Sequence, residues 1–259
     1  MTAAGALVAG DPDAPLVVLI HGLTGSHHTW DRVVPLIEDH SRVVAVDLPS
    51  TRSIEGEADA VAALISRPAI LVGHSRGGLV ATAVAERHPD LAAKVIAMCV
   101  PYTIESRLGS NRSAERLLRV PLIGDLAWAL AGEGQRRAGL ASAFARGTPV
   151  PDHFVTALER AGRRGLNDAS AAIDTYLAQA TLAQRVQAMP VDVELIFGDC
   201  DARVAPPETV ELRHTTLAAV GHSPPWESPA EVAQIILAAL EHPDSREMNR
   251  PVTPLETAQ

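Results

Sequence analysis

Apolar residues in this chain fall in short unbroken runs separated by stretches with helical spacing. PLVVLIH (15–21), SRVVAVDL (41–48), AILVG (69–73) and KVIAMCV (94–100) are β-branched runs with little alternation, which predicts strands buried on both faces. Between them the pattern predicts helices over 27–40, opened by Ser26, over 55–66, ended by Arg67-Pro68, and over 76–88, ended by His88-Pro89. The alternation breaks after residue 101. It resumes with VDVELIFG (191–198), a helix near 206–213, TTLAAV (215–220) and a last helix over 229–241. Strands and helices in alternation predict the α/β class, a mostly parallel sheet flanked by helices, with ligands gathering beyond the carboxyl ends of the strands.

The interrupting residues 102–190 have helical composition and no convincing strand. Lying between two strands of one sheet, they are expected to form an inserted helical cap above the strand ends. The core then comprises 1–101 and 191–242. The stretch 243–259 is polar, contains three prolines and is expected to be disordered.

Charge narrows the partners. The formal net charge is −9, which argues against nucleic acid or an anionic membrane surface and for a small-molecule substrate. The insertion departs from this balance, with eleven arginines against eight acidic residues. This reads either as attraction for an anionic group or, more plainly, as a solvated surface. No run is long enough to span a bilayer, and MTAAGALVAG has no basic region ahead of its short apolar run. A cytoplasmic protein is expected. Cys99 and Cys200 are the only cysteines, without metal-ligand spacing, so neither a metal site nor a disulfide is expected.

Two glycine-rich turns carry the candidate chemistry. Gly73-His74-Ser75-Arg76-Gly77 fits G-x-S-x-G between a predicted strand and a predicted helix. A serine on such a strained turn needs small neighbours, and the helix behind it favours developing negative charge. A serine hydroxyl also needs a base. His222, in AAVGHSPPWESP, follows the predicted strand 215–220 and can reach over the site. The base needs a carboxylate to fix its tautomer, and LIFGDCDARVAPPE offers Asp199 and Asp201 just past another strand end. Donors for an oxyanion are expected from the backbone N–H of Arg76 and, in the His21-Gly22-Leu23 turn, from that of Leu23.

With these residues the chain resembles the α/β-hydrolase superfamily, and within it the capped, cofactor-free members, over roughly 10–242. The resemblance rests on the HG turn at 21–22, GHSRGG at 73–78, GDCD at 198–201 and GHSPPWESP at 221–229. It implies the order nucleophile, acid, base, and its usual G-x-x-D pattern favours Asp201 over Asp199. It implies no cofactor and no metal. DLPSTRS, after the second strand, is shorter than the loop relatives usually carry there, which alters the pocket on that side. Trp226 reads as ordinary core packing. Substrate selection is expected from the insertion and from His27, His28 and Trp30 beyond the HG turn, although His27 and His28 read equally well as the start of a helix. The implied activity is serine hydrolysis of a carboxylic ester or related acyl bond through an acyl-enzyme. Alternatives on the same residues are C–C bond hydrolysis, cyclase, lyase or perhydrolase chemistry, and a ligand receptor with an idle triad.

Overall fold

The computed structural model describes residues 6–49, 52–108, 118–208 and 212–241. Seven strands form one sheet among them: β1 (Ala6–Ala9), β2 (Leu16–Ile20), β3 (Arg42–Val46), β4 (Ala69–His74), β5 (Ala92–Met98), β6 (Asp192–Gly198) and β7 (His214–Leu217). Their order is β1-β3-β2-β4-β5-β6-β7. Only β1 runs antiparallel, pairing Ala6 with Val46 through Ala9 with Val43. All other neighbours are parallel.

Each parallel strand sends alternate residues to opposite faces, and both faces are covered, hence the unbroken apolar runs. Leu16, Val18 and Ile20 of β2 join Leu71 of β4 and Val95 and Ala97 of β5 in one buried cluster. Val17, Leu19, Ile70, Val72, Ile96 and Met98 pack into the other. The first face is covered by α2 (Ile54–Ala62), α3 (Arg76–Arg87) and part of a long helix described below. The second is covered by the short α1 (Val34–Ile37), by Trp30 and by α9 (Pro229–Glu241).

Four predicted elements differ, the first being α2, which ends at Ala62, four residues short of the expected 66. Residues 27–40 are not one helix but a 3-10 turn, His27–Trp30, followed by α1. Ser26 makes no side-chain cap, and Pro35 in the first turn of α1 removes a donor from any longer helix. The expected helix near 206–213 is absent over 205–208, where Pro206 and Pro207 remove two successive donors; 209–211 lie outside the described residues. β7 begins at His214 and stops at Leu217, just before Ala219 turns to φ 59°.

Between β5 and β6 the chain forms α4 (Ile123–Leu130), α5 (Glu133–Leu140), α6 (Asp152–Gln179) and α7 (Leu182–Ala188). Gly162 takes φ 65° and bends α6 into two arms. The far arm lays Ile173, Tyr176 and Leu177 on the first sheet face. The near arm, with Val155 and Leu158, packs against Leu140 in a separate small cluster. No helix among the described residues is long and apolar enough to cross a membrane. The expected tail, 243–259, lies outside the described residues.

Candidate active site

The end of β4 turns into α3 within one residue. Ser75 takes φ 52° and ψ −120°, a conformation rare for a residue with a side chain, held here by its surroundings. A Cβ on Gly73 would lie 2.3 Å from the carbonyl oxygen of Gly77, and one on Gly77 2.3 Å from that of Ile20. Both obstacles are backbone and cannot swing aside. Gly73→Ala is therefore expected to cost on the order of 3 kcal/mol, seen as a melting temperature lower by roughly 10 °C.

Two other strand ends bring their residues to Ser75. The Ser75 hydroxyl donates to His222 Nε2 at 2.8 Å, and His222 Nδ1–H donates to Asp201 Oδ2 at 2.7 Å. The other carboxylate oxygen, Oδ1, accepts from the backbone N–H groups of Arg203 (2.7 Å) and Val204 (3.0 Å). Burial alone would raise the Asp201 carboxyl, but the His222 ring and those two N–H groups outweigh it and hold it below its ordinary value. Ser75, Asp201 and His222 are 8, 8 and 4% exposed. Asp199 is exposed and stands outside this run.

Cys99, Asp201 and His222 hold ligand atoms within 4.8 Å of one another. They do not suit a metal. His222 Nδ1 carries the proton that Asp201 accepts, and burial pushes the Cys99 thiol well above its ordinary value, so it stays protonated. Cys99 and Cys200 are both free thiols.

Ser75 and His222 open on a cavity of about 260 Å³. Leu23 and Thr24 of the HG turn line it on one side. Trp128, Ala131, Leu140, Leu158, Leu166 and Ile173 form its apolar wall, and Arg107, Arg136 and Arg203 also line it. Arg107 is bound to Asp174 at 2.8 Å and Arg136 to Glu159 at 3.0 Å, so these two bring little net charge to the cavity. The N–H of Arg76 belongs to the first turn of α3, where no carbonyl within the helix can accept it.

A model of the alpha/beta hydrolase family matches residues 17–235. The chain belongs to that family. Among its relatives is the pimeloyl-[acyl-carrier protein] methyl ester esterase of Neisseria meningitidis serogroup A, 32% identical over 217 residues, which span 80% of this chain and 68% of that protein. Its serogroup C counterpart is also 32% identical over 217 residues, covering 80% and 83%. Among solved structures, the 2-hydroxy-6-oxo-6-phenylhexa-2,4-dienoate hydrolase of Rhodococcus superposes with a TM-score of 0.74 over 92% of this chain and 94% of that one, at 22% identity. A haloalkane dehalogenase of Bradyrhizobium elkani does so with a TM-score of 0.74 over 93% and 94%, at 18% identity. At such identities these two speak for the fold.

Three residues expected to bind substrate in this hydrolase lie elsewhere. Trp30 is fully buried in the core on the second sheet face. His27 turns to Asp47, which accepts from its backbone N–H at 2.7 Å and lies 3.1 Å from its ring. His28 is exposed beside Asp31, at 2.9 Å. None of the three lines the cavity at Ser75. Trp226, expected in the core, is only half-buried; its ring lies 4.7 Å from that of His153, tilted by 58°, and under the guanidinium of Arg32.

Two buried histidines instead hold the hydrolase loops in place. His74 Nε2–H donates to the carbonyl of His222 at 2.6 Å, fixing the His222 loop. His21 Nδ1–H donates to the Gly22 carbonyl at 2.8 Å, while Nε2 accepts from Leu48 N–H at 3.0 Å. That bond ties the HG turn to the shortened loop after β3. Arg76 reaches back to the buried Glu57 of α2 and donates to the Ala169 carbonyl of α6 at 3.3 Å. The signal for His74 was its place beside Ser75 at the end of a buried strand.

Proposed function

We propose that this hydrolase cleaves a carboxylic ester of a small acyl compound through an acyl-enzyme on Ser75. Ser75 Oγ attacks the ester carbonyl while His222 Nε2 takes its proton. Asp201 keeps the imidazole in the required tautomer and stabilises the imidazolium. The N–H groups of Leu23 and Arg76 stabilise the tetrahedral oxyanion. His222 then protonates the leaving alcohol, and a water, deprotonated by the same nitrogen, releases the acid. Within 102–190, α4, α5 and the near arm of α6 act as a cap whose apolar wall takes the acyl chain. No step calls on a cofactor.

The hydrogen-bonded run from Ser75 Oγ through His222 to Asp201, opening on an apolar cavity, carries this reading. The neisserial relatives support an ester as substrate, since they are named as methyl ester esterases, and their acyl-carrier substrate supports an acyl chain in the cavity. A fluorophosphonate probe tests it by intact mass. One adduct per chain is expected on the wild type and none on Ser75→Ala; an unlabelled but folded wild type would sink the proposal.

A further inference from the structure

The loop that bears His222 is fastened by one carboxylate. Glu227 Oε2 accepts from the backbone N–H groups of Gly221 and Ser223, each at 3.1 Å, so the residues on either side of His222 hang from the same oxygen. Its other oxygen, Oε1, accepts from Ala145 N–H at 2.6 Å, and Ala145 lies in the stretch between α5 and α6. Bonds from N–H groups to an ionised acceptor are the shorter and stronger kind.

The local sequence makes this arrangement available. Glu227 closes the short helix α8 (Pro224–Glu227), whose first two positions are prolines. Proline fixes the backbone for a helix start and brings no N–H of its own. The carboxylate thus has no donor to satisfy at Pro224 or Pro225 and reaches back past them, while Glu227 N–H bonds the Ser223 carbonyl at 3.0 Å. Gly221 completes the contact. A Cβ there would sit 2.3 Å from Ala145 N and 2.9 Å from Glu227 Oε2, so only glycine lets the inserted segment approach the base loop this closely.

We infer that Glu227 is a positioning residue for the hydrolytic reaction, holding the His222 loop from both sides and fastening it to the inserted helices through Ala145. This rests on the proposed roles of Ser75 and His222. The inserted helices are then part of the alignment of the base as well as a wall of the cavity.

Rapid labelling with the fluorophosphonate, followed in rate and in final stoichiometry, tests the inference beside steady-state ester hydrolysis. Glu227→Gln keeps the size of the side chain but sets an amide NH2 against N–H donors. Its labelling rate and kcat are expected to fall about 10- to 100-fold, with KM within about two-fold and labelling still reaching one adduct per chain. Ala145→Pro removes the donor on the inserted segment and crowds Gly221 with its ring, so it loosens the same contact from the other side; it should slow labelling several-fold, which keeps the inference testable if the glutamine variant does not fold. A purely structural role would lower the final stoichiometry and leave the rate of the labelled fraction unchanged. That result, or wild-type rates in both variants, overturns the inference. Failure of the wild type to label would instead overturn the proposed function.

Discussion

Asp201→Asn is expected to lower kcat about 10,000-fold while leaving the fold intact. Asparagine can keep its carbonyl oxygen on the N–H groups of Arg203 and Val204, which now bond Oδ1 of Asp201. Its NH2 then faces His222 Nδ1, where Oδ2 now accepts a proton at 2.7 Å. Two donors cannot face each other, so the imidazole proton moves to Nε2. There it meets the Ser75 hydroxyl, and the nitrogen that should take the serine proton has no lone pair to offer. The circular dichroism spectrum should match the wild type, because the backbone bonds at Asp201 survive. Asp199→Asn supplies the contrast: Asp199 is exposed, and activity should stay within two-fold or so. Activity of Asp201→Asn within ten-fold of the wild type would remove Asp201 from the proposed mechanism.

The fold should lose stability steeply as pH falls from 7 toward 4. Burial lowers His74 from an ordinary 6.5 to about 3 and His21 to about 4. Burial holds both neutral, against the pull of the carbonyls of His222 and Gly22 that accept from them. His74 Nδ1 is buried with no acceptor among the described residues, and a proton on His21 Nε2 would collide with Leu48 N–H. In the unfolded chain both rings take up protons below pH 6.5, whereas in the folded chain they do so only near pH 4 and 3. The unfolded state therefore binds more protons throughout this window, and stability falls with pH. The neutral rings give their full benefit above pH 6.5. A tenfold difference in proton affinity between the folded and unfolded chain is worth about 1.4 kcal/mol, so the two rings together withdraw on the order of 5 kcal/mol by pH 4. Carboxyls held low in the folded state, such as Asp201 and Asp47, change stability in the same direction at lower pH. Urea midpoints measured from pH 8 to 4 should stay level to about 6.5 and then drop, and His74→Gln should make the drop shallower. A midpoint unchanged to pH 4.5 would refute the account.

Much of the fold was legible because a parallel sheet covered on both faces leaves unbroken apolar runs. Strands β2 to β6 and α9 fall within two residues of where those runs and their flanking breakers put them. The edge strand β1 was less visible, as ALVA is only four residues long and half-exposed in alternation. Ser75, His222 and Asp201 were legible as candidates because each follows a strand end, and parallel strands deliver their carboxyl ends to one place. What escaped was pairing between distant segments. Nothing near His27 indicates that Asp47, twenty residues on, will bind it, or that Trp30 will turn into the core. The cavity wall comes from α4 to α6, whose helical spacing reveals an apolar face but not its orientation over Ser75. Glu227 left a trace in the two prolines before it, yet its third donor, Ala145, lies 82 residues away.

The break between β5 and β6 has a consequence for how the chain matures. Ser75, Arg76 and the HG turn all lie before it, in strands that pair with near neighbours in sequence. Asp201 and His222 lie after it, and β6 must find β5 across the whole inserted segment. Closing so long a loop carries an entropic cost that nearby pairings do not, so this step belongs late in folding. During synthesis the edge of β5 waits without a partner until β6 has emerged, and such an unpaired edge is where nascent sheets aggregate. Until β6 docks, Ser75 stands without Asp201 and His222. The proposed chemistry therefore cannot start on a half-made protein.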